Sequence, residues 1–322
     1  MRPSSPEPTY RNPHDPNDPE PWGPAETLPP SAPLGPVAST GGPGAVDGRP
    51  ARHDGRRSGR RIGAVLTTGL VVAGAAWAGA GLLGSDVTTE VTAPVTSVRV
   101  ISGNTAIQVR YEDVPTARIV EHDRQRGSRL EQRVVDGELI VDYRGGGFSF
   151  GPSFNRRLDI VLPAGTRQDT PDLVVRGTTG SITVDGDFGT TDLTTTTGSV
   201  HASGSFDTVR TKVTTGGIDV TGRADSASAE STTGSIDIRV EGSRSVRAQA
   251  STGSVDVTVD GPQPDEVEAR TTTGSVDVDV PDGSYAVQAT SRTGSVRVDV
   301  DEDGAAPHRI QAETGTGSVR IF

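Results

Sequence analysis

The chain contains no cysteine, and aromatic residues occupy only 4% of its 322 positions. The first absence excludes disulfides, thiolate metal sites and a cysteine nucleophile. The second removes much of the bulk on which a globular core of this length rests, and a hydrophobic content of 32% does not replace it. An excess of basic charge is missing too. The formal net charge of −11 argues against a general nucleic-acid binder, which needs clustered basic surface. What the chain has in quantity is glycine, 41 residues, and proline, 23 residues.

These residues are unevenly spread. Residues 1–61 hold 14 of the 23 prolines and no periodic apolar pattern, so this segment cannot offset the entropy of ordering and reads as a disordered tail. Its Pro-rich runs would suit either a spacer or a ligand for an aromatic-lined groove in a partner. Ile62 to Gly84 then forms 23 residues without a charge, close to the roughly 20 that cross a bilayer as a helix. Arg56, Arg57, Arg60 and Arg61 precede this span, whereas no basic residue follows it until Arg99. The positive-inside rule therefore predicts a cytoplasmic tail and an exported remainder at the cell membrane. A rival reading is a cleaved signal peptide, because Ala76-Trp77-Ala78 and Ala78-Gly79-Ala80 resemble cleavage sites. The long leader and long apolar stretch fit a retained signal anchor better. Small residues four apart, Gly69 with Ala73 and Ala75 with Gly79, permit helix pairing without demanding it.

Beyond a linker at 85–94, the exported part carries a net charge of about −12, which favours solubility. Its strongest signal is internal repetition. Units such as TTGSITV, TTGSIDI and RTGSVRV centre on Gly180, Gly198, Gly216, Gly234, Gly253, Gly274, Gly294 and Gly317, spaced by 18, 18, 18, 19, 21, 20 and 23 residues. Positions +2 and +4 after each Gly are apolar, as in Ile236 and Ile238, and positions −7, −5 and −3 are small or apolar, as in Val246, Ala248 and Ala250. Both arms alternate at period two, the mark of a strand with one buried face. The inward set changes parity across the Gly, so the chain must bend there, and Gly permits the bend. One such coil cannot bury its own face. Stacked coils can, which predicts an all-β fold over 166–322, a β-solenoid or elongated stack of β-strand repeats with eight coils. Thr and Ser at −2, −1 and +1 would form rows that hydrogen-bond between coils. Residues 95–165 read instead as short strands that cap the stack, with Asp136-Gly137 as a hairpin turn and Phe148, Phe150 and Phe154 covering the first coil.

The β-rich lead, the strand-ending DIVLPAG at 159–165 and the recurrent G-S-[IV]-x-[IV] units resemble the bacterial putative-adhesin family of β-strand-repeat proteins, over roughly 95–322. That resemblance implies an envelope-associated, often membrane-anchored protein, in some members tied to envelope stress. The family's domain is of unknown function and offers no catalytic residues to carry over. Gly217, where the other repeats have Ser, and the long loop DEDGAAPHR depart from the pattern without threatening the fold.

Chemistry is sparse. At +3 the outward residues run Thr183, His201, Asp219, Asp237, Asp256, Asp277, Arg297 and Arg320. Stacked in register, the four carboxylates would repel and attract a divalent cation. The simpler arrangement leaves them solvated, with Arg297 paired to Asp277. Paired carboxylates of this row, such as Asp237 and Asp256, are candidates for an acid and base, but the row is repetitive and singles out no site. His122, His201 and His308 stand apart, and Tyr111, Tyr143 and Tyr285 offer little surface for stacking sugars. No nucleophile elbow, zinc-protease or Walker sequence occurs. The expected protein is therefore a non-enzymatic, single-pass surface protein with no catalytic, metal or cofactor residues assigned and no cofactor. Its expected partners are the membrane, an envelope polymer or surface protein, and no nucleic acid. The competing expectation is a sensor whose Pro-rich tail engages a cytoplasmic partner.

Overall fold

The structure is a computed structural model that describes residues 77–78, 86–122, 128–144, 156–165 and 170–322. All of them lie in the second of two compact units, 65–322. The tail at 1–61 and the rings of Phe148, Phe150 and Phe154 fall outside the described residues. Of the span 62–84 only Trp77–Ala78 is described, as a two-residue strand antiparallel to Val87 and Thr88. Among the described residues no helix is long and apolar enough to cross a membrane.

The period-two arms form strands on both sides of every repeated Gly, and they stack in parallel and in register. Ile182–Thr197, Val200–Thr215 and Ile218–Thr233 each supply a complete coil. Val200 lies on Ile182 and Ile218 on Val200, and Ile236, Val255 and Val276 continue the row. These side chains, and Val246, Ala248, Val267 and Ala269 of the other arm, are buried in one core. Each buried Val or Ile contributes about 1.5–3 kcal/mol, so a core one side chain thick gains its stability by repetition. Most of the described aromatics join it: Tyr111, Tyr143, Phe188, Phe206 and Tyr285 are buried, whereas Phe322 is exposed.

The repeated corner is more tightly specified than a flexible turn. All eight corner glycines have φ between 126° and 147°, a region open essentially to Gly alone. Each also sits directly over the corner before it. A Cβ on Gly234 would overlap the carbonyl oxygen of Gly216, and one on Gly253 would overlap that of Gly234. The corner N–H groups complete the column, with Gly216 N–H donating to Thr233 O at 2.9 Å and Gly234 N–H to Thr252 O at 2.9 Å. A second such column occurs at Gly186, Gly204 and Gly222, on the opposite bend of the coil. It ends where Val240 takes the place next to Gly222. Beyond that level the longer repeats place their extra residues in loops at this second bend, such as 261–265 and 303–308, leaving the first corner unchanged.

The hydroxyl rows differ from expectation. The hydroxyls that bridge coils most regularly are those at −3, inside the corner. Thr195 donates to Gly180 O (3.2 Å), Thr271 to Gly253 O (2.9 Å), Thr314 to Gly274 O (2.8 Å) and Ser291 to Gly317 O (2.8 Å). A corner carbonyl facing the core needs a donor, and a short inward Thr or Ser supplies one. Thr at −2 and −1 face solvent, and the +1 row contributes a Ser235–Ser254 contact of 3.2 Å.

Sequence order fails at both ends of the stack. Arg309–Thr316, which leads to the last corner Gly317, lies between Glu266–Thr273 and Ser284–Thr293. Val319–Ile321 likewise lies between Val276–Asp279 and Val296–Val298. The coil of Gly294 is therefore outermost, and the C-terminal segment is inserted beneath it. The segment 299–308, whose Asp301–Glu302 pairs with Ser284 and Tyr285, makes that return. At the other end Ser97–Asn104 and Ala106–Glu112 stack as a parallel coil directly on Asp172–Thr179 and Ile182–Thr197. Glu138–Arg144 and Arg157–Pro163 form the next coil outward. The region expected to cap the solenoid thus supplies two of its coils, and Val87–Val91, Ala117–His122 and Arg129–Val135, with Trp77–Ala78 beside the first, pair antiparallel at that end. The Asp136-Gly137 hairpin forms as expected, with both residues at positive φ (51° and 83°).

Gly234→Ala should destabilise the protein by about 3 kcal/mol or more through backbone strain and overlap with the adjoining corner. Gly217 has ordinary φ, and a Cβ there would meet nothing closer than Ser235 O at 3.6 Å. Gly217→Ser should therefore change stability by no more than about 0.5 kcal/mol. Urea unfolding of the two variants measures the contrast.

Candidate functional site

Two outward rows run across the coils. The first is the +3 row, in which Asp219, Asp237, Asp256 and Asp277 occupy successive levels, flanked by His201 and Arg320. His201 Nδ1 lies 3.2 Å from Asp219, Arg239 Nη2 2.6 Å from Asp237, and Arg320 Nη1 3.4 Å from Asp277. Arg297, the residue expected to pair with Asp277, instead lies beside Asp299 at 2.6 Å. The inserted C-terminal segment is the reason, because it brings Arg320 next to Asp277 and moves Arg297 one level outward. Asp256 is left between two carboxylates. Burial raises its pKa, and Asp277 and Asp237 raise it further, against a smaller opposing effect of Arg239. Asp279 is raised in the same way by burial and by Asp260. Asp237 and Asp256 are register neighbours, yet they belong to a periodic row and do not face one another across a cleft. Among the described residues no group of three or more His, Asp or Glu converges as metal ligands.

The second row lies on the other arm and shapes a groove of about 480 Å³. One wall is the −4 row, Lys212, Glu230, Gln249, Arg270 and Glu313, on five successive levels. The other is the −2 row of Thr232, Ser251, Thr272 and Gly315, with Arg292 at the outer end and the small −3 residues as the floor. Concavity follows from side-chain length: long charged residues at −4 stand above a line of Ser, Thr and Gly. Lys212 pairs with Glu230 at 2.7 Å. Glu268, nearly buried, is held by Arg247 (2.7 Å) and Arg270 (2.7 Å) and accepts from Gln249 (3.1 Å). Removing either arginine would leave a buried charge less compensated.

The histidines are dispersed. His122 lies 2.9 Å from Asp86 and 3.2 Å from the buried Asp159, which also pairs with Arg110 (2.9 Å) and Arg157 (2.8 Å). His308 Nδ1 lies 2.9 Å from Pro264 O, at the far end. Tyr111 donates to Asp187 O and Tyr285 to Pro281 O, so these rings are core and offer no stacking face. Sequence reasoning found the acidic row and missed the groove. Its −2 wall falls in the expected Thr and Ser rows, but the −4 wall has no repeated residue type, and only side-chain length in register marks it.

The architecture defines a class, a parallel β-solenoid built from short Gly-cornered coils. Within that class the chain belongs to the Toastrack DUF4097 family, whose model matches residues 90–321. Among solved structures it is similar to an adhesin, described as putative, from Bacteroides fragilis (13% identity, TM-score 0.39, covering 74% of this chain and 97% of that one). A putative adhesin from Parabacteroides distasonis gives 14% identity and TM-score 0.39 over 74% and 97%. A protein from the same organism described as a putative lipid binding protein gives 12%, 0.38, 74% and 96%. No curated protein matches the chain.

Raised carboxyl pKa values in the fold mean stability that is fully present at acid pH and lost as pH rises through the range in which Asp256 and Asp279 ionise. Asp256→Asn should therefore stabilise the protein by about 0.5 kcal/mol near neutrality, and this gain should vanish below the carboxylate range. Thermal melts across pH provide the measurement.

Proposed function

We propose that this is a membrane-anchored, extracytoplasmic, non-enzymatic protein whose solenoid makes adhesive or scaffolding contacts with an envelope polymer. The groove is the observation that carries the reading. It runs across the strands, so successive coils each add a long polar side chain to one wall, and most add a hydroxyl to the other. Such a surface meets an extended repeating chain through many weak contacts, whose linkage raises avidity without a deep pocket. Arg292 supplies a cationic point at its outer end for anionic groups of the polymer, and the Ser and Thr wall supplies hydroxyls. The anchor is the charge-free stretch 62–84, with its arginine-rich cytoplasmic flank.

A second reading is favoured by the 14 prolines of residues 1–61. In it the ectodomain senses an envelope ligand and the tail engages a cytoplasmic partner.

Ser251→Tyr with Arg292→Glu fills the groove and reverses a charge at exposed positions. Vesicles carrying this variant should bind isolated cell-envelope polymer several-fold more weakly than those carrying the parent chain, with unchanged melting temperature. Equal binding would overturn the groove reading. Deleting residues 1–48 should leave polymer binding intact if the protein is an adhesin or scaffold. Loss of a transcriptional or stress response after that deletion, with binding retained, would identify the sensor.

A further inference from the structure

We propose that the outermost coil, that of Gly294, is a self-association edge at which two copies of this chain pair antiparallel about a two-fold axis centred on Val298. The two ends of the stack are unlike. The N-terminal end is closed by antiparallel strands, whereas Val296–Val298 pairs on one side alone, with Val319–Ile321. The core behind it is incompletely covered: Val296 is 43% exposed, and Val287, Ala289, Val298 and Val300 are only partly buried. The edge strand is short, Val296–Val298, and it carries neither proline nor an inward-pointing charge.

The register follows from the hydrogen bonds already made. Val319 N–H donates to Ser295 O (2.9 Å) and Asp299 N–H to Ile321 O (2.8 Å). The odd-numbered backbone groups thus face the inner strand. By alternation the N–H and C=O of Val296 and Val298 face outward. An incoming antiparallel strand must bond to these even-numbered residues, which limits where the two-fold axis can fall. Centring it on Arg297 sets Arg297 against Arg297 of the second copy. Centring it on Val298 sets Arg297 against the second copy's Asp299 twice over. The run Arg297-Val298-Asp299 is therefore self-complementary, with Val298 on the inner face and opposite charges on the outer one. An interface of this kind is isologous and closes at two copies, because the capped end offers no matching edge for a third. The inference stands on this edge and requires neither the groove nor the anchor.

The chain has no cysteine, so Val298→Cys places a single thiol type at the axis of the pair. Mild oxidation of the full-length chain in detergent should convert most of it to a covalent dimer. In that background Arg297→Asp or Asp299→Arg, each of which sets like charges opposite one another, should lower the yield several-fold. Mixing the two charge variants should restore it, since an edge with two acidic side chains then faces an edge with two basic ones. An intrachain role for the Arg297–Asp299 pair cannot produce rescue by mixing. Sedimentation of the cysteine-free charge variants and their mixture provides the same comparison should Val298→Cys fail to fold. Monomer throughout, dimer indifferent to these charges, or failure of the mixture to recover would each overturn the proposal.

Discussion

The corner glycines carry a constraint that comes from stacking more than from turning. A bend of this kind requires positive φ, which Gly tolerates, but isolated bends of that kind are common in proteins. Here the carbonyl oxygen of one corner occupies the space that a Cβ on the next would need. The column therefore requires Gly at successive levels, and this close approach lets the N–H of each corner but the outermost, Gly294, reach the Thr carbonyl of the adjoining coil at 2.8–2.9 Å. Once the corners are locked at that spacing, both arms are in register, and every Val, Ile and Ala falls on its counterpart. The narrow core, the inward hydroxyls at −3 and the outward charge rows all inherit their alignment from this column.

The second bend shows what happens when the constraint is relaxed. Three levels keep Gly at 186, 204 and 222. After Val240 interrupts the column, loops of different length replace it. Variation in repeat length is thereby confined to one side of the coil, and the rows near the first corner stay continuous despite spacings from 18 to 23 residues. This is why a groove can cross levels of unequal length without a break.

A solenoid stacked by identical rules would grow without limit, so its ends need separate solutions. The N-terminal end has one in its antiparallel strands and in the ion-paired cluster around Asp159. The C-terminal end is arranged differently: the last segment of the chain turns back and inserts one level inward, leaving the preceding coil outermost. The insertion also supplies Arg320 to Asp277 and ends the acidic row with a cation. Surface electrostatics and edge exposure thus have a common origin in one departure from sequence order.

Much of this was legible in the amino-acid sequence, because it depends on local alternation and on a residue type whose backbone freedom is unique. The period, the eight corners, the inward positions +2, +4, −7 and −5, and the hairpin at Asp136-Gly137 all follow from such local rules. Membership of the family was legible for the same reason. Other features depend on which strands become neighbours. Nothing in the residues of the Gly294 and Gly317 units says which lies outside, since both present the same alternation and would fit either level. The pairing of Asp277 with Arg320, the split role of residues 95–165 and the groove between −4 and −2 were therefore decided only in the tertiary structure. A repeat determines how a coil packs on any coil like it. The order of the stack depends on connection lengths and on how the ends are covered, which are properties of the whole chain.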